Sequence, residues 1–183
     1  MQIHETTLRG VLVVEPDLHA DARGWLCETF RADRYVAAGI PAAFEQENLS
    51  SSHAGVLRGL HFQYPHPQGK FVQVLEGKVF DVVLDVRRGS PTFGRYETFT
   101  LTADRPQQLW IPPGFAHGFC AQTERALCSY RCTRTYVASA QRRVAWNDPA
   151  LAIPWPVSNP RLSPEDAAAR TLAEQGVLPD YEG

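Results

Sequence analysis

Short runs of β-branched and aromatic residues recur along this chain. Turn residues interrupt them about every ten positions, the rhythm of a β-sandwich or barrel. The runs are VLVV (11–14), WLCETF (25–30), KFVQVL (70–75), KVFDVVLDV (78–86), YETFTLT (96–102), QQLWI (107–111), GFCAQ (118–122) and ALCSYRCT (126–133). The first two flank a polar turn around Asp21 to Gly24, and Glu76-Gly77 reads as a tight hairpin between the third and fourth. Two stretches carry helix signals. RADRYVAAG (31–39) stops at Gly39. SPEDAAARTLAEQG (163–176) opens with Ser163 as cap and Pro164 in the first turn, has Asp166 three residues past the cap, and ends at Gly176. The Pro- and Gly-rich PPGFAHGF (112–119) is expected to be a rigid loop that delivers His117 to the next strand. The expected fold is therefore all-β, with short flanking helices, one of them near the C-terminus.

The 183 residues are enough to bury a real core, and no repeat or linker divides them, so one domain over 1–183 is the economical reading. A net charge of −2 argues against a general nucleic-acid or membrane-surface binder, though it leaves room for a local basic pocket. MQIHETTLRG at the start has no long apolar run, and no stretch reaches the ~20 apolar residues a membrane span needs. A cytoplasmic location is expected. Cys27, Cys120, Cys128 and Cys132 form no CxxC pair, so free thiols are expected. Cys128 and Cys132 lack a second pair to close a zinc site.

RGLHFQ (58–63) places His61 inside a strand-like run with Arg58 near it and Lys70 a short way on. Such an imidazole could be a metal ligand, a general base or a hydrogen-bonded core residue. Gly55 with His61 six residues on, Gly77, and then Pro112, Gly114 and His117, resemble the two motifs of the cupins, small barrels of jelly-roll type. The metal set of those motifs is broken, because Gln63 stands at the second histidine position and Lys70 at the glutamate position. An ammonium repels a cation, so no metal is expected. His4, His19, His53 and His66 fall in probable loops.

A base beside cations suits proton removal next to a carbonyl, with the enolate oxygen held against Lys70. An ordinary imidazole, with a pKa near ~6.5, accepts a proton at neutral pH. Inverting a carbon also needs an acid on its other face. Tyr130 is the candidate, since alternation puts Cys128, Tyr130 and Cys132 on one strand face. From these residues alone the bland readings stay open: His61 and Tyr130 as satisfied core residues, Lys70 as a strand end.

DARGWLCETF, QENLSSS, GVLRGLHFQ, QGKFVQVLEGKVFDVVLDVRRGSPTFG, QLWIPPGFAHGF, WNDPALAIPWP and LSPEDAAA, in that order, resemble the dTDP-4-dehydrorhamnose 3,5-epimerase family nearly end to end. The resemblance implies a cupin jelly-roll barrel, usually a homodimer, with no cofactor and no metal. It implies a nucleoside-diphospho 4-keto-6-deoxyhexose as substrate, inverted at C3, C5 or both. It assigns His61 as base, Asp166 as the carboxylate paired with it, Tyr130 as proton donor and Lys70 as the cation near the keto oxygen. It assigns Arg23, Glu28, Gln46, Asn48, Arg58 and His117 to substrate binding. The guanidinium fork of Arg23 and Arg58 suits a diphosphate. Three positions depart from the family pattern, all toward the nucleotide end: Thr135 where an aromatic is common, Gln141 for a glutamate and Glu165 for a lysine.

Overall fold

The computed structural model describes residues 1–182. Thirteen strands build it: β1 (Gln2–Glu5), β2 (Leu12–Glu15), β3 (Leu18–Asp21), β4 (Gly24–Cys27), β5 (Gln46–His53), β6 (Leu57–Gln63), β7 (Lys70–Glu76), β8 (Lys78–Asp85), β9 (Tyr96–Thr102), β10 (Gln108–Ile111), β11 (Phe115–Ala121), β12 (Arg125–Cys132) and β13 (Gln141–Arg143). Two short helices, α1 (Ala32–Ala37) and α2 (Pro164–Ala167), flank them. A six-stranded sheet runs β1-β2-β10-β7-β12-β5 and a five-stranded sheet β13-β6-β11-β8-β9, with β3 and β4 a separate hairpin. The named strand pairs are antiparallel. No helix is long and apolar enough to cross a membrane.

The two sheets close on one apolar filling. Val72, Val74 and Leu109 from the first meet Val79, Val83, Phe115 and Phe119 from the second. Alternation then fixes which polar side chains share that interior: Lys70 lies in phase with Val72, Asp81 with Val79 and Val83, His117 with Phe115 and Phe119, and Tyr130 with Cys128. The other face of β8 is covered as well. Val82 and Leu84 pack with Leu60, Phe62, Leu151 and Leu172 beneath the C-terminal segment. Burial on both faces explains why KVFDVVLDV is a nearly continuous apolar run rather than an alternating one.

Three expectations need correction. Glu76-Gly77 does not join a hairpin: β7 pairs with β10 and β12, while β8 pairs with β9 and β11, so the turn carries the chain from one sheet to the other. Gly77 has φ +74, and a Cβ there would collide with the Arg125 carbonyl. The stretch 112–119 is loop only as far as Gly114. From Phe115 it is a central strand paired on both sides, with His117 inside it. Gly118 is needed there for close approach: a Cβ on it would sit 2.7 Å from the Arg58 carbonyl oxygen.

The third correction concerns 163–176, which is one helical turn over Pro164–Ala167 and a 3-10 turn over Leu172–Glu174. Tertiary contacts override its helix propensity. Arg170 makes a bridge with Val144, and Leu172 is 8% exposed in the core. The earlier helix stands in shortened form as α1. It ends at Ala37, two residues before Gly39, which has φ +81 and turns the chain away, and it packs Tyr35 against Phe71 and Trp110 on the outside of the first sheet.

Candidate active site

β6 carries His61 between two partners, with His117 of β11 opposite it on one side and Arg143 of β13 on the other. Its Nε2 lies 2.6 Å from Oδ1 of Asp166, which arrives from α2. The sequence builds this contact locally. Ser163 Oγ caps α2 by accepting the Asp166 backbone N–H at 3.1 Å, so the aspartate side chain is free to turn inward. The Gly59 N–H donates to Asp166 Oδ2 at 3.4 Å. Gly59 can do so because it holds φ +129. A Cβ on it would stand 2.5 Å from the Gly118 Cα. The Asp166 side chain is 5% exposed and that of His61 29%.

A carboxylate only accepts, so Nε2 of a neutral His61 carries the hydrogen and Nδ1 keeps the lone pair. Burial pushes the His61 pKa down. Asp166 pushes it back up, while Lys70 and Arg143 oppose that, and the net direction is down. Burial pushes Asp166 up, but the bond and charge of His61, the Gly59 N–H and Arg143 outweigh it and hold the carboxyl below its ordinary value. The resting pair is thus a neutral imidazole on an ionised carboxylate, the state of a loaded general base.

A cavity of about 280 Å³ opens in front of the imidazole. His61, Lys70, Tyr130 and Cys132 form its inner wall, with Gln46 and Asn48 beside them. Lys70 Nζ donates to the His61 carbonyl at 3.2 Å. Burial lowers its pKa, against the pull of Cys132 and Asp81. Burial raises the Tyr130 pKa, which keeps the phenol protonated at neutral pH. Cys128, beneath Tyr130, is pushed by burial to about 12 and stays a thiol. At the two altered cupin positions the side chains bond protein backbone: Lys70 as above, and Gln63 to the Val137 N–H (2.7 Å) and the His66 carbonyl (3.1 Å). Among the described residues no group of three or more His, Cys, Asp or Glu could hold a metal ion.

Four residues assigned to substrate by resemblance do not line this cavity. Arg58 donates to Ser52 Oγ (3.0 Å) and to the Ser51 carbonyl (3.3 Å). His117 is buried against Asp81 Oδ2 at 2.8 Å. Arg23 sits on the β3–β4 hairpin, 90% exposed and paired with Asp21 at 2.6 Å. Glu28 pairs with Arg34 at 3.0 Å. Conversely, Gln68, Tyr136, Gln141 and Arg143 do line it. Gln141 and Arg143 belong to a three-residue strand, too short for alternation to show in the sequence.

This chain belongs to the dTDP-4-dehydrorhamnose 3,5-epimerase family, whose model matches residues 5–174. A protein of that name from Neisseria gonorrhoeae is 46% identical over 175 residues. The match takes in 95% of this chain, which spans about half (53%) of the Neisseria protein. A dTDP-4-dehydrorhamnose 3-epimerase from Streptomyces niveus is 40% identical over 99% of this chain and 90% of its own. Among solved structures, the Legionella pneumophila dTDP-6-deoxy-D-glucose-3,5-epimerase, in complex with dTDP-4-keto-L-rhamnose, superposes with TM-score 0.96 at 43% identity. The superposition covers 100% of this chain and 99% of that one. The fold is the cupin-type barrel of this group.

Proposed function

We propose that the protein epimerises a dTDP-4-keto-6-deoxyhexose at the carbons flanking the ketone. The observation that carries this reading is His61, backed by Asp166 at 2.6 Å, sharing one cavity wall with Lys70 and Tyr130. Nδ1 of His61 removes the proton at C5 or C3, and the electron pair moves to the keto oxygen as an enolate. Lys70 stabilises that oxygen by charge and hydrogen bonding. Asp166 holds the imidazolium. Tyr130 returns a proton from the other face, inverting the carbon. The Tyr136 ring, 51% exposed at the rim, offers a stacking surface, as a nucleotide base would need.

The active form in this reading is a homodimer. The β3–β4 hairpin exposes Leu18, Trp25 and Leu26, and β5 is an edge strand exposing Leu49. Arg23 and Glu28 lie outside their own cavity, where a second copy could receive them. The cytoplasm suits the four free thiols.

The test is proton NMR in D2O with dTDP-4-keto-6-deoxyglucose. Loss of the C3 and C5 signals, abolished by His61→Asn, is the expected result. Loss of one signal alone would make the protein a mono-epimerase, as the Streptomyces niveus relative is named. Persistence of both would refute the reading.

A further inference from the structure

Among the described residues Arg143 is the one arginine in the wall of the cavity. It stands directly opposite His61 in the β6–β13 ladder, and the Gln175 side chain secures its carbonyl at 2.9 Å. Its Nε comes within 3.4 Å of Asp166 Oδ1, the same oxygen that receives the imidazole. That Nε is buried and makes no hydrogen bond among the described residues. The Arg143 side chain as a whole is 31% exposed and lines the cavity, while its backbone is held in the ladder.

We propose that Arg143 is a positioning residue of the catalytic pair: its guanidinium shares the Asp166 carboxylate with His61, fixing that carboxylate and limiting how strongly the imidazole retains a proton. The inference rests on the epimerase reading of the site. A carboxylate with His61 as its sole cationic partner would favour imidazolium, and an imidazole already protonated at working pH cannot act as base. Arg143 counters that. The other groups facing His61 are Lys70 from β7, Tyr130 and Cys132 from β12, and His117 from β11 with Asp81 of β8 behind it. Lys70 and Arg143 oppose the imidazolium and Asp166 favours it. Of the two cations only Arg143 reaches Asp166, so Arg143 is the one that acts through the carboxylate, while Lys70, bonded to the His61 carbonyl, keeps N–H donors for the substrate oxygen.

The experiment is a proton NMR pH titration of the His61 C2–H signal in the substrate-free protein, with His61→Asn to assign it. Arg143→Gln should move the midpoint up by about one unit, the effect of removing one partly screened charge nearby. Arg143→Lys, which keeps the charge, should stay near wild type. In turnover, the acid limb of the kcat profile should rise with the midpoint in Arg143→Gln while KM changes little. Should that variant fail to fold, Arg143→Met keeps the aliphatic stem and gives the same reading. An unchanged midpoint in a folded, uncharged variant overturns the proposal. The titration needs no substrate, so a wild type that exchanges no proton on dTDP-4-keto-6-deoxyglucose counts against the epimerase reading and not against Arg143.

Discussion

Replacing Asp166 by Asn would separate the charge of the carboxylate from its shape. The side chain is 5% exposed and nearly isosteric with its replacement, and the cap from Ser163 uses only the Asp166 backbone, so the fold should survive. An amide oxygen can still face His61 Nε2, but its NH2 then confronts the Gly59 N–H, donor against donor. What disappears is a charge-assisted bond of 2.6 Å in a mostly buried setting. Such bonds contribute about 1.5–3 kcal/mol. If that stabilisation is realised as the imidazolium forms, kcat on the pH plateau falls about 10- to 150-fold. The sign of the pH effect follows. Asp166 raises the His61 pKa, so losing its charge lowers that pKa further, and the acid limb moves to lower pH while the plateau drops. The assay is C5 and C3 deuterium exchange followed across pH. A plateau within about twofold of wild type, with an unmoved acid limb, would refute the role of Asp166.

Two further substitutions test the frame around the site. Gly59→Ala puts a Cβ 2.5 Å from the Gly118 Cα and 2.9 Å from the His117 carbonyl oxygen at φ +129, so thermal melting should show a loss of about 3 kcal/mol or more. Tyr35→Phe removes a buried hydroxyl 2.8 Å from Gln108 Oε1 on the far side of the first sheet. It should cost about 1–3 kcal/mol by denaturant unfolding and leave exchange kinetics alone.

Periodicity made the barrel legible, because strands such as β8, β10 and β12 carry β-branched or aromatic residues that burial selects. It missed β3, whose four residues are all exposed, and β5, whose polar QENLSSSH gives no apolar signal. The crossing at Gly77 was invisible because a hairpin and a sheet-to-sheet turn demand the same glycine. In the site, alternation alone put Tyr130 beside Cys128 and Cys132, while Asp166 and the binding residues came by resemblance. Arg58 and His117 show the limit of residue type: a guanidinium meets two serines and an imidazole meets a buried carboxylate, and neither fate is written in local spacing.

The base and its carboxylate are 105 positions apart. The later one rides on a segment fastened by isolated bridges at Arg161, Arg170 and Asp180, by the Asp148 and Gln175 side-chain bonds, and by Leu172 and Leu178, with no strand pairing of its own in either sheet among the described residues. Such a fastening can open on its own, at a free energy below that of the whole molecule. Competence then depends on a sub-global equilibrium: a molecule with an intact barrel and a released tail keeps its cavity and its imidazole but has lost the group that makes the imidazole a useful base. Mild denaturant or a clip in the tail would silence such a protein well before its strands melt.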